Sequence, residues 1–93
     1  MKWRKKPVVV EVTTFDEFED YGRTHAENVI DGVGQAFEFG GHPISAEGTR
    51  GYVVPTKEGF LVFTREDVLI TGVSGEIYPC KIDIFKQTYE PIE

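Results

Sequence analysis

Val8, Val9, Val10 and Val12 set four β-branched side chains into five consecutive positions just after Pro7. A proline before such a run suits the first residue of a strand better than its middle. The pattern predicts a first strand over Val8 to Thr13, apolar on both faces until Glu11 and therefore inner or twice covered. The period then changes. Thr14 followed by Glu17 fits a capping box, in which hydroxyl and carboxylate each satisfy a free backbone donor at a helix start. Phe15, Phe18 and Tyr21 recur three residues apart, so a short helix beginning near Phe15 turns its rings to one side. Asp16, Glu17, Glu19 and Asp20 face water near its positive end. Gly22 offers the stop. About two turns cannot stand alone, so the rings must pack on a sheet.

From Asn28 onward the pattern becomes short β-type pieces punctuated by glycine. They are Asn28 to Ile30, Gln35 to Phe39, Pro43 to Glu47, Tyr52 to Thr56, Phe60 to Thr64, Val68 to Val73 and Glu76 to Cys80. Tyr52 to Thr64 reads as a hairpin closed by Lys57, Glu58 and Gly59, a three-residue turn with a bulge. Ser74 and Gly75 mark a second tight turn. After Cys80, Ile82, Phe85 and Tyr89 return to helical spacing, which predicts one or two turns with Tyr89 anchoring the tail. The expected fold is α+β: a small twisted, mainly antiparallel sheet, one short helix after strand one and a short C-terminal helix.

Length sets limits on this fold. With 93 residues there is room for a single domain, residues 1–93, and for burial of only about 60–65% of the unfolded surface. Large pockets would have to come from clefts or from a subunit interface, so a homo-oligomer is among the expectations. Twelve aromatic residues are enough to build a core. Cys80 is the only cysteine, which forbids an internal disulfide. No apolar run approaches the roughly 18 residues a membrane span needs, and the chain reads as cytoplasmic with no membrane partner. Lys2, Arg4, Lys5 and Lys6 are four of the ten Lys/Arg, so residues 7–93 hold six cations against all sixteen Asp/Glu. An acidic body repels phosphate backbones, which excludes general duplex DNA binding.

Candidate chemistry is sparse. Cys80 with His25 or His42 has the residue types of a thiol–imidazole pair, the basis of a small-hydrolase alternative. A cysteine at the end of an apolar strand is also an ordinary small hydrophobe. No ligand spacing specifies a metal, and Gly40, Gly41 and His42 lack the helix that a phosphate-cradling loop opens onto; no cofactor is expected. Two constellations remain. Arg50 beside Gly51 and Tyr52 pairs a guanidinium with a ring, which suits stacking on a base and clamping a phosphate. Asp16, Glu17, Glu19 and Asp20 form a negative patch that would meet a basic protein surface.

The segment Gly72 to Glu90, GVSGEIYPCKIDIFKQTYE, resembles the C-terminal signature of a family of small phage and prophage proteins, and Met1 to Glu11, MKWRKKPVVVE, resembles its N-terminus. The two ends carry the likeness. The family tends to have proline where this chain has Ile82, and Pro-Gly-Asp where it has Arg65, Glu66 and Asp67. Residues 23–51 lack a close counterpart and read as an insertion specific to this member. The family has no assigned chemistry, so the resemblance implies a setting, the cytoplasm of a host cell, and not a reaction. Within it Tyr78, Lys81, Asp83 and Tyr89 would edge a ligand cleft, with Lys81 meeting an anionic group. The expected function is a non-enzymatic phage accessory protein that acts by binding. It would sequester a nucleotide-type immune signal or block a host defence protein; a virion or assembly component is the other alternative.

Overall fold

Thr14 caps the first helix as its side chain predicts. Its hydroxyl accepts from the Glu17 amide at 3.2 Å while the Glu17 carboxylate accepts from the Thr14 amide at 2.9 Å, so two otherwise unpaired donors are satisfied at once. In the computed structural model, which describes residues 1–4, 7–48 and 50–92, this helix, α1, runs Phe15–His25. Gly22 lies within it and does not end it. It is buried where Phe37 crosses the helix, and a Cβ there would come within 2.6 Å of that ring. The chain leaves α1 at Ala26, whose amide donates to the Gly22 carbonyl.

The strands pair antiparallel in three sheets. β1 (Glu11–Thr13) lies beside β8 (Asp67–Thr71), which lies beside β9 (Ile77–Lys81). β2 (Val29–Ile30) and β3 (Val33–Gly34) form a short ribbon. β4 (Ala36–Phe39), β5 (His42–Glu47), β6 (Gly51–Thr56) and β7 (Gly59–Thr64) follow one another in a meander. A second helix, α2, covers Ile82–Thr88. The expected α+β class, the antiparallel pairing and the positions of both helices are all observed.

Several details differ, each for a local reason. The first strand is an edge of three residues, because β8 turns away at Gly72 and leaves Val8 and Val9 without a partner, both exposed. The twice-covered strand is β8 instead, with Val68, Leu69 and Ile70 all buried. The hairpin loop holds two residues, Lys57 and Glu58, since Thr56 pairs with Gly59. The Thr56 hydroxyl donates to the Gly59 carbonyl and accepts from the Glu58 amide. β3 was not expected, although Asp31-Gly32, both with positive φ, is the dipeptide that a tight hairpin favours. Arg23 donates to the Gly32 carbonyl at 2.9 Å and so ties this turn to α1.

β5 and β6 part where prolines meet. Their ladder runs from Glu47↔Gly51 to Ser45↔Val53. Continued by two residues it would set Pro43 opposite Pro55, and neither has an N–H to give.

The core gathers on the inner face of the meander. Phe18 is fully buried and packs edge-on to Tyr52 at 5.0 Å, Phe39 at 5.0 Å and Phe63 at 5.2 Å. Phe15, Phe37, Ile44, Val54, Leu69 and Ile77 complete the cluster. Residues 23–51 are not peripheral, since Phe37 and Ile44 within them join this core. Phe85 and Tyr89 do not. They stack on each other at 5.3 Å over β9 and remain half-buried, and no residue of α2 is buried.

Candidate functional site

The register of β8 and β9 places Tyr78 opposite Ile70 and Cys80 opposite Val68, on the face that α2 lies against. Tyr78 reaches from β9 toward the end of α2, and its hydroxyl stands 3.5 Å from that of Tyr89. That contact and burial push Tyr78 up from an ordinary value of 10.0 to about 12. A raised phenol stays neutral in the folded protein while the unfolded chain ionises, so its stabilising effect is complete below pH 10 and is lost as pH rises toward 12. Tyr78→Phe is therefore expected to flatten the alkaline limb of a stability-against-pH curve, measured by denaturant titration at fixed pH values.

The two tyrosines edge a groove of about 470 Å³. Its walls are Val8 and Val10 from the lead-in to β1, Leu61 from β7 and Val73 from the β8–β9 turn. Lys57 and Glu76 also line it. Their ion pair spans 3.2 Å, and the same two residues also line a shallower depression of about 490 Å³ running past His42 and Gly75. The pair thus borders both hollows. Lys57 holds the Glu76 carboxyl below its usual range, and the Ser74 amide adds to the effect. Gly72 makes room for the arrangement, since a Cβ there would overlap the Glu76 carboxylate.

Of the residues singled out from sequence, only Tyr78 and Tyr89 meet in this groove. Lys81 points elsewhere: its ammonium lies 3.3 Å from Glu66 and 3.4 Å from Asp67, which raise its pKa and occupy it. Asp67 in turn is buried and accepts from the Thr64 amide at 3.0 Å and from its hydroxyl at 3.2 Å. The sequence Arg65-Glu66-Asp67 therefore makes a fixed turn, and Lys81, 52% exposed, sits in ion pairs with it rather than in the groove. Asp83 accepts from the Ile84 amide at the start of α2.

Arg50 and Tyr52 do not form a clamp. The Arg50 side chain is 81% exposed, 4.0 Å from Glu47, whereas Tyr52 is 1% exposed among Phe15, Phe18 and Phe37. An inward-facing position on β6 buries the ring, so it cannot stack on a ligand. Among the described residues its hydroxyl is buried without a hydrogen-bond partner, and burial raises its pKa. Tyr52→Phe is expected to leave the fold intact and to raise stability by about 1 kcal/mol, because an unpaired buried polar group costs roughly 1–3 kcal/mol; chemical denaturation measures it.

The acidic helix face is largely engaged within the chain. Arg65 lies 4.7 Å over the Phe15 ring and reaches Asp16 at 2.9 Å and Glu19 at 3.4 Å. Arg23 pairs with Asp20, and Glu17 closes the cap. The Cys80 thiol contacts its neighbour's carbonyl, Lys81 O, at 3.6 Å, and burial together with Asp67 and Asp83 pushes its pKa up. His25 stacks on Tyr21 at 3.9 Å, and His42 Nε2 lies 2.8 Å from the Gly75 carbonyl. A raised thiol is a poorer nucleophile.

No protein-family model, curated protein or solved structure matches the chain. Among the described residues no group of three or more His, Cys, Asp or Glu could hold a metal ion, and no helix is long and apolar enough to cross a membrane. Sequence reasoning missed Leu61, Val73, Lys57 and Glu76, which come together only through the packing of the two sheets. The one available signal was the pair of turns, Lys57-Glu58, which holds Lys57, and Ser74-Gly75, which precedes Glu76.

Proposed function

We propose that the protein is a non-enzymatic phage accessory protein that acts by binding, and that the groove edged by Tyr78 and Tyr89 receives a nucleotide-type immune signal. The observation that carries this reading is the groove's make-up: mainly apolar walls, with the hydroxyl-bearing Tyr78 and Tyr89 and one cation, Lys57, among the lining residues. Its volume falls within the roughly 300–1,000 Å³ of small-molecule sites, which combine apolar walls with a few placed polar groups. A flat base suits the walls beside Leu61 and Val73. The hydroxyls of Tyr78 and Tyr89 can donate to or accept from its edge, and a phosphate would compete with Glu76 for Lys57. The setting rests on the resemblance of residues 72–90 and 1–11 to phage proteins.

Blocking a host protein through α1 is the weaker alternative, because Arg65 and Arg23 already pair with three of its four carboxylates. A Cys80 hydrolase is weaker again, given the raised thiol.

Native mass spectrometry with a panel of cyclic and linear nucleotides tests the reading. A specific adduct is expected, recovered chemically unchanged, and Leu61→Asp or Lys57→Ala should weaken it at least about tenfold while thermal stability holds. The reading fails if no nucleotide binds, or if binding is unaffected by both substitutions.

A further inference from the structure

Outside the short β2–β3 ribbon, four strands are sheet edges: β1, β4, β7 and β9. Three of them carry features that discourage pairing with another chain. β1 has three residues, one of them Glu11; β4 holds Glu38; β9 holds Lys81 and, at its middle, Pro79 without an N–H. Short length, charge and proline are the usual means of blunting an edge. β7 is six residues long, GFLVFT, with neither charge nor proline. Its Phe60 is 75% exposed and its Val62 44%.

The two-residue loop fixes which backbone groups of β7 are free. Thr56↔Gly59 next to the loop is a hydrogen-bonded pair, and alternation makes Val54↔Leu61 and Tyr52↔Phe63 the others. The N–H and C=O groups of Phe60, Val62 and Thr64 therefore point away from β6. Asp67 takes the Thr64 amide. What remains is a donor and an acceptor at Phe60, the same at Val62, and an acceptor at Thr64.

We propose that β7 is the interface of a homodimer, in which a second copy of this chain pairs antiparallel across a two-fold axis at Val62. In that register Val62 faces Val62 of the second copy and Phe60 faces its Thr64. The Val62 groups bond reciprocally, and each Phe60 N–H meets a Thr64 carbonyl. The one outward amide that is already engaged, that of Thr64, leaves only a Phe60 carbonyl to water. An isologous contact of this kind needs a patch that complements itself, and this one does in both hydrogen bonding and apolar character. Charge selects the same edge. The chain carries a net charge of −6, so two copies repel over most of their surfaces. β7 is uncharged, and its flanks Lys57-Glu58 and Arg65-Glu66 each sum to zero. Leu61, a wall of the groove, lies beside the axis on the inner face. The dimer itself does not depend on what the groove binds.

Sedimentation velocity over a concentration series is expected to show wild type at twice the 10.5 kDa chain mass. Val62→Lys and Val62→Glu each place like charges opposite one another on an exposed position, and each should weaken self-association by about a hundredfold or more. Mixing the two variants should restore a dimer, because residue 62 then faces its opposite charge. Backbone amide exchange on wild type is an independent measure: Phe60 and Val62 should slow as concentration rises, with the Glu38 amide of β4 unchanged. A wild-type chain that remains monomeric with fast exchange at Phe60 and Val62 overturns the proposal and leaves the edge to an extended segment of another protein. Dimers that survive both single variants, or a mixture that stays monomeric, overturn it as well.

Discussion

Phe18→Ala is expected to remove about 3–5 kcal/mol of folding stability, the usual loss when a buried ring is deleted and its cavity only partly collapses. Phe18 is the point at which α1 meets the meander, touching rings from β4, β6 and β7. The α1 helix spans 11 residues and is marginal by itself, so its docking stands or falls with this side chain. A domain of this length has on the order of 5–14 kcal/mol in total. Thermal unfolding followed by circular dichroism should show a midpoint at least about 12 °C lower. Phe18→Leu, which keeps most of the volume, should cost clearly less. Equal, small losses for both would remove Phe18 from the centre of the packing.

Gly34→Ala should be nearly as damaging, although it adds a single methyl group. A Cβ at Gly34 would collide with the Gly22 carbonyl, lie 2.6 Å from the Gly22 carbonyl carbon and press on Ala26 at 2.9 Å. Backbone on one side and a packed methyl on the other cannot yield by rotation, so α1 and the β2–β3 ribbon would have to separate. Overpacking of this kind costs about 1–3 kcal/mol and sometimes more. The expected signature is selective: faster amide exchange along β2–β3 and at the C-terminal end of α1, with β8 unaffected. Uniform exchange changes, or none, would count against the contact.

The local parts of this fold are legible in the sequence because they depend on neighbours. Thr14 and Glu17 announce the helix start, glycines and short apolar runs mark seven of the nine strands to within a residue or two, and Ile82 to Thr88 shows its helical spacing. What depends on distant partners is not. Valine at positions 8, 9, 10 and 12 reads as a buried strand, but burial is decided by where β8 ends. Gly22 looks like a helix stop and is a crossing point, since only the position of Phe37 and Gly34 tells the two apart. At the candidate site the tyrosines are visible in the sequence, whereas the ion pairs of Lys81 with Glu66 and Asp67 are not, because they depend on the register of β8 against β9. Leu61, Val73 and Glu76 carried no signal of their own, because a groove between two sheets belongs to neither sheet's pattern.

The ion pair of Lys57 and Glu76 has a consequence for the two hollows it borders, which also share Thr56 and Ile77. An exposed pair contributes only about 0–1 kcal/mol and weakens as dissolved salt screens it, and here the Lys57 side chain is 74% exposed while that of Glu76 is 19% exposed. On the proposed binding reading this pair would act as an ionic latch, and elongated guests are expected to gain relative to compact ones as ionic strength increases.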